Sequence, residues 1–141
     1  MELKTSLEHI ERYSAKLWRL HCKQHKDNII LSFNEYDYLK VIQYAEKPLR
    51  LTDIAAQLEV SKPSASNMIV RLESRGLVSR KQSSEDARVS HITLTDKAVQ
   101  LMQFDDVIYA SFANEIEKVL TKKECQQLEG LLAKLFTQLK P

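Results

Sequence analysis

The sequence predicts a mainly α fold (α+β), with long helices at both ends flanking a small segment of short helices and one β-hairpin. Three observations predict it. Apolar residues recur at helical spacing over most of the 141 residues. Glycine and proline are scarce, with two and three copies, so turns are few and helices long. Two β-prone runs, LVSRKQ (77–82) and RVSHITL (88–94), sit side by side around the polar turn SSEDA.

Taken in order, Leu3, Leu7, Ile10, Leu17 and Leu20 mark one face of an amphipathic helix over about 3–25. The looser stretch KDNIILS precedes a second helix that starts near Asn34 and carries Tyr38, Leu39, Ile42 and Tyr44. Lys47-Pro48 ends it, because a residue before proline avoids the α region. Leu49–Leu51 reads as a short strand, and Thr52 as the cap of a brief helix with Ile54, Ala55 and Leu58 inward. Glu59-Val60 then turns the chain into SKPSASNMIVRLESRG. There Ser61 is a good N-cap, Pro63 falls in the first turn, and Gly76 suits the position past the last turn. Ala65, Met68, Ile69 and Leu72 form the inner face of a helix of about fourteen residues, roughly 21 Å long. After the hairpin, Thr95 caps a long helix through Leu101, Phe104, Ile108, Phe112 and Ile116. Thr121 and Glu124 form a T-x-x-E capping box opening a last helix with Leu128, Leu131, Leu132, Leu135, Phe136 and Leu139 on one stripe.

Two short helices joined by a tight turn, the second polar and basic outside, make a helix-turn-helix, and the ribbon that follows it is a wing. A winged helix-turn-helix closes its own core. The first and last helices therefore present surplus apolar surface, at Leu3, Leu7 and Ile10 and along the Leu128–Leu139 stripe, which a homodimer would cover. The chain reads as one subunit over 1–141, with a DNA-binding lobe at 34–95 and dimerisation helices at 1–30 and 96–141. Two-fold symmetry sets two recognition helices on half-sites about 34 Å apart, so the expected partner is a pseudo-palindromic double-stranded DNA operator.

Charge distribution supports this more than net charge, which is only +2. From Ser61 to Thr95 there are six basic residues against three acidic, and from Asp96 onward six against seven. No apolar run approaches the roughly 18 residues of a membrane span, and no signal-peptide pattern opens the chain, so no membrane role is expected. Two cysteines outside any disulfide framework favour a reducing cytosol, hence a cytoplasmic protein. There is no phosphate-cradling glycine loop, no H-E-x-x-H and no paired nucleophile, which disfavours an enzyme and calls for no cofactor. A helical adaptor using the winged helix for protein contacts is the alternative; it predicts DNA binding without sequence preference, or none.

The run LTDIAAQLEVSKPSASNMIVRLESRGLVSR, followed by D-x-R-x5-L-T at Asp86, Arg88, Leu94 and Thr95, resembles the MarR family of bacterial transcriptional regulators. The resemblance extends over the whole chain in element order and departs from the family's usual residues at Asn67 and Ala98. It implies a dimeric regulator, here expected to be a repressor, released when a small ligand or modification changes the spacing of the two DNA-binding lobes. It also implies that Arg88 enters a minor groove and that Asp86 orients a basic side chain through a salt bridge.

On the helix, Ser61, Lys62, Ser64 and Ser66 are candidates for phosphates or base edges, their short side chains letting the backbone approach. Asn67 suits adenine N6/N7, and Arg71 suits guanine O6/N7 or a phosphate. Arg80 and Lys81 are expected to support phosphates. His21 and His25, at i and i+4 around Cys22, are read as exposed polar residues at a helix end; a metal site would need further ligands such as Asp27, Asp105 or Asp106. The basic neighbours of Cys22 make it a possible oxidant sensor, against the plainer reading of an inert thiol; Cys125 carries a weaker signal. Trp18, Phe33, Tyr36, Tyr38 and Tyr44 are read as core packing, with a ligand pocket as the alternative that the resemblance implies.

Overall fold

The computed structural model describes residues 1–24, for 22–24 the backbone alone, and residues 31–139. The described elements are α1 (Leu3–Gln24), α2 (Phe33–Gln43), α3 (Leu51–Gln57), α4 (Lys62–Ser74), β1 (Val78–Gln82), β2 (Ser90–Leu94), α5 (Asp96–Val119) and α6 (Lys122–Gln138). They divide between two compact units, residues 29–102 and residues 1–28 with 103–141.

The unit 29–102 is built around α4. Its inner residues Ala65, Ile69 and Leu72 are fully buried against Leu39 of α2, Ile54 of α3, Leu77, and Ala98 and Met102 from the first turns of α5. β1 and β2 pair antiparallel from Val78↔Leu94 to Gln82↔Ser90, and Val78 and Ile92 close the core from the ribbon side. α4 starts and stops as its sequence dictates. The Ser61 hydroxyl accepts the Ser64 N–H at 3.2 Å. At the other end Leu77 N–H reaches Leu72 O at 2.9 Å and Gly76 N–H reaches Glu73 O at 3.0 Å. This is a Schellman end, with Gly76 at φ 72° supplying the left-handed residue. α3 ends in the same way: Val60 N–H bonds Ala55 O at 3.0 Å, but the left-handed residue is Glu59, at φ 54°. Thr95 caps α5 by accepting the Ala98 N–H at 3.2 Å, and its own hydroxyl donates to Gly76 O at 2.6 Å. The Lys97 ammonium adds a bond to Arg75 O at 3.1 Å, so the end of α4 is fastened directly to the start of α5.

Several boundaries differ from the sequence reading. α2 starts at Phe33, because Ser32 and Glu35 form a capping box, and it stops at Gln43, four residues before Lys47. The Tyr44 N–H closes it by bonding Lys40 O at 3.0 Å. Leu49 makes a single bridge to Ile92 in place of a strand, since Leu51 is already helical. Arg50, not Thr52, is the N-cap of α3, the Asp53 carboxylate accepting the Arg50 N–H at 2.9 Å. β2 begins at Ser90, two residues later than the run RVSHITL, because Arg88 and Val89 are held in the turn by Asp86. The aromatic residues do not all serve the core: Tyr38 is buried, whereas Phe33 and Tyr44 are exposed. The buried stripe of α2 is Glu35, Tyr38, Leu39 and Ile42, and Phe33 and Tyr44 fall off it.

In the other unit, Leu17 and Ile108 are buried. The rings of Tyr13 and Phe112 lie 5.0 Å apart, and those of Trp18 and Phe104 6.2 Å. α6 has the expected capping box, with Thr121 N–H on Glu124 Oε2 at 2.8 Å and Glu124 N–H on Thr121 Oγ1 at 3.3 Å. None of its side chains is buried in the single chain. Among the described residues no helix is long and apolar enough to cross a membrane.

Candidate nucleic-acid interface

A 100° step per residue divides α4 between two jobs. With Ala65, Ile69 and Leu72 locked in the core, Lys62, Ser64, Asn67, Val70, Arg71 and Ser74 are exposed and Ser66 is half-buried. The hydroxyls are already ordered: Ser61 donates to Ser64 Oγ at 2.8 Å, and Ser74 donates to Arg71 O at 2.7 Å. Ser61 is therefore occupied chiefly as a cap, while Ser64 keeps its own O–H for an outside acceptor.

The structure also assembles a group that the sequence reading missed. Glu35, at the start of α2, is only 2% exposed and carries a charge. Its two oxygens face two arginines of the recognition helix: Oε1 lies 3.6 Å from Arg71 Nη2, and Oε2 is hydrogen-bonded by Arg75 Nη1. The Ser32 N–H donates to Oε1 at 3.2 Å. Burial by itself would raise the Glu35 carboxyl, but hydrogen bonds from Arg75 and Ser32, with the charge of Arg75, outweigh it and hold the group below its ordinary 4.5. A carboxylate beneath the helix thus fixes where Arg71 and Arg75 leave it. Arg71 has five N–H donors and is 60% exposed, so most of its fork still faces outward.

This pair sets a pH dependence. Because folding lowers the Glu35 pKa, the unfolded chain binds the proton first as pH falls. The stabilisation is complete well above 4.5 and disappears as pH drops through the lower, folded-state value. Glu35→Gln should lower stability by about 1.5–3 kcal/mol at pH 7, the worth of charged hydrogen bonds. The gap between variant and wild type should narrow as pH falls from 7 to below 4.5. Urea unfolding across this range checks this; a gap of constant size would mean that the charge contributes nothing.

In the wing, Asp86 Oδ1 accepts the Arg88 N–H at 3.0 Å and lies 3.3 Å from Arg88 Nε, so the aspartate steers the arginine two residues on. Arg88 is 91% exposed. Arg80 is turned back towards α4, with Nε 3.6 Å from Glu73 Oε1, whereas Lys81, opposite His91 in the ribbon, is exposed. Strand alternation accounts for this split: Arg80 shares its face with the buried Val78, and Lys81 takes the other face.

The other predicted groups lie elsewhere. His21 Nδ1 is 3.0 Å from Leu17 O and its ring stands edge-on to Phe104 at 5.9 Å. His25, Asp27 and the Cys22 side chain lie outside the described residues. Among the described residues no group of three or more His, Cys, Asp or Glu could hold a metal. Cys125 is a half-buried free thiol.

Comparison with known proteins agrees with this geometry. The model of the MarR family matches residues 31–90, from two residues before α2 to the first residue of β2. HTH-type transcriptional regulator BilQ of Clostridioides difficile (strain CD3) is 27% identical over 123 residues, covering 87% of this chain and 82% of that protein. In fold, the chain is similar to the S. aureus MepR–DNA complex, with TM-score 0.72, 22% identity and 98% of each chain covered. S. aureus MepR bound to ethidium bromide gives TM-score 0.70 at 20% identity, with 99% of this chain and 98% of that one covered. The capped and basic α4, the two-stranded wing and the D-x-R motif at Asp86 and Arg88 thus centre on a segment, residues 31–90, that matches the MarR family of winged helix-turn-helix transcriptional regulators.

Proposed function

We propose that this chain is a cytoplasmic, sequence-specific double-stranded DNA-binding regulator. It acts as a homodimeric repressor at a pseudo-palindromic operator and is released by a small ligand or a modification. The observation that carries the reading is α4: its inner residues Ala65, Ile69 and Leu72 are buried and Met68 half-buried, while its outer face exposes short polar and basic side chains that a major groove can approach. MepR is solved both with DNA and with ethidium bromide, which supports a nucleic-acid partner and a small-ligand signal for a chain of this fold. The apolar stripe of α6 and the exposed Leu3, Leu7 and Ile10 of α1 support the dimer.

Each residue then has a role of its own. Lys62 and Ser64 take phosphates at the helix start, where free N–H groups already favour anions. Asn67 reads adenine, and Arg71, aimed by Glu35, reads guanine or grips a phosphate. Arg80 and Lys81 follow the backbone, and Arg88 enters the minor groove. DNA recovered by crosslinking the protein in its own cells should show a palindromic footprint with half-sites about 10 base pairs apart. Arg88→Ala should then lose on the order of tenfold in affinity. The loss should be greatest on operators with A·T-rich flanks, whose narrow minor groove attracts arginine. Arg71→Ala should act at particular bases. Titrations across flank variants decide it: equal losses on all flanks make Arg88 a plain phosphate contact, and a footprint without symmetry counts against the operator model.

A further inference from the structure

Val70 does not fit its surroundings. It is 53% exposed, on the outer face of α4. Its helical neighbours there are Ser66 and Asn67 one turn before it, Arg71 beside it, and Glu73 and Ser74 one turn after it, all polar. The core does not account for it, since the inward arc of α4 is complete with Ala65, Ile69 and Leu72. Helix propensity does not account for it either, because a β-branched residue is a poor helix former at an exposed position. The same branching restricts the side chain to essentially one rotamer in a helix, so its two methyl groups are held in a fixed direction. Ser66, Asn67 and Ser74 around it are short enough that a base edge can approach it between the longer Arg71 and Glu73.

Resting on the DNA-binding reading above, we propose that Val70 is a specificity-determining residue that packs on the C5-methyl of a thymine in the major groove. That methyl is the one apolar feature of the major-groove code, and only an apolar side chain distinguishes it. Asn67 and Val70 are three residues apart, about 4.5 Å along the helix axis. This is close to the roughly 3.4 Å rise of one base pair, so the thymine should lie next to the pair that Asn67 contacts. Val70 thereby adds an apolar reading to a face that otherwise reads only donors and acceptors.

The test uses the full-length protein. Duplexes enriched from a randomised pool by the wild type define the half-site, and each of its thymines is then replaced in turn by uracil, which lacks only the methyl. At one thymine per half-site the wild type should lose roughly fourfold in affinity, and roughly fifteenfold when both half-sites are changed, the worth of one buried methyl per site. Val70→Ala should bind thymine and uracil duplexes within twofold of each other. Val70→Thr, which keeps one methyl, should fall between the two. Two results overturn the proposal: a wild type indifferent to uracil at every position, or Val70→Ala still discriminating at the same thymine. If no duplex is enriched at all, the DNA-binding reading itself fails, which is a different result from enrichment followed by indifference to uracil.

Discussion

Affinity for the cognate palindrome should fall by roughly 10³–10⁵ between 50 and 200 mM salt, on the expectation of about 6–10 neutralised phosphates per dimer. The charges that would do this are local. Net charge is only +2, yet the segment from Ser61 to Thr95 holds six basic residues against three acidic. Some of that charge is already committed: Arg75 is bound to Glu35, Arg71 faces the same carboxylate at 3.6 Å, and Arg80 faces Glu73 at the same distance. Lys62 and Lys81 are exposed, and Arg88 is 91% exposed even with Asp86 3.3 Å from its Nε, so about three to five contacts per protomer are available, consistent with the expected slope. The measurement is the slope of log affinity against log salt by fluorescence anisotropy. A nearly flat line, or saturation at one protomer per palindrome, would remove the phosphate-contact model along with the dimer.

Removing the last helix should do comparable damage without touching any proposed DNA contact. α6 buries no side chain in the single chain; Leu131, Leu132, Leu135 and Phe136 stand exposed on it, as does Leu139 at its C-cap. Covering each such side chain is worth about 1.5–3 kcal/mol, so a two-fold pair of stripes suffices for a dimer that persists at nanomolar to micromolar concentration. A chain ending at Leu120 should sediment as monomer or aggregate. Its operator affinity should drop by roughly 10²–10⁴, because two half-sites are no longer engaged by one linked pair of lobes. The unit 29–102 keeps its own core, so the truncated chain still carries a folded winged helix against which to measure the loss. A soluble truncated dimer that binds normally would give α6 some other task.

The elements were legible where their signals were local. Ser61, Pro63 and Gly76 fixed both ends of α4 because capping acts within a few residues, and the Thr121–Glu124 box opened α6 for the same reason. The Ser32–Glu35 box is as local a signal and starts α2 at Phe33, one residue before the Asn34 expected from periodicity. Leu51 and Thr52 are helical against expectation because Arg50 is an unusual N-cap, made acceptable by the Asp53 carboxylate on its N–H. The outer face of α4 and the Asp86–Arg88 pair could be read from periodicity and motif spacing. The Glu35–Arg75 contact could not, since it joins residues 40 apart in sequence and depends on the packing of α2 against α4. No pattern in a single sequence marks which of many carboxylates ends up beneath an arginine.

The wing tip carries a consequence for the thermodynamics of release. Beyond Gln82 and Ser90 the hairpin leaves the ladder, and its exposed side chains offer little apolar burial to hold it. The turn is instead tied internally: Ser83 N–H reaches Val89 O at 2.8 Å, Ser83 Oγ accepts the Glu85 N–H at 3.2 Å, and Asp86 secures Arg88 through backbone and side chain. Ordering a residue that is free in solution costs about 1–2 kcal/mol, and here that loss of freedom falls in folding rather than in association. The turn should accordingly keep its shape on and off the duplex, with little heat-capacity signature of its own. If two protomers bind one duplex as proposed, dissociation would then be governed by how the two wings are spaced and not by the melting of either one.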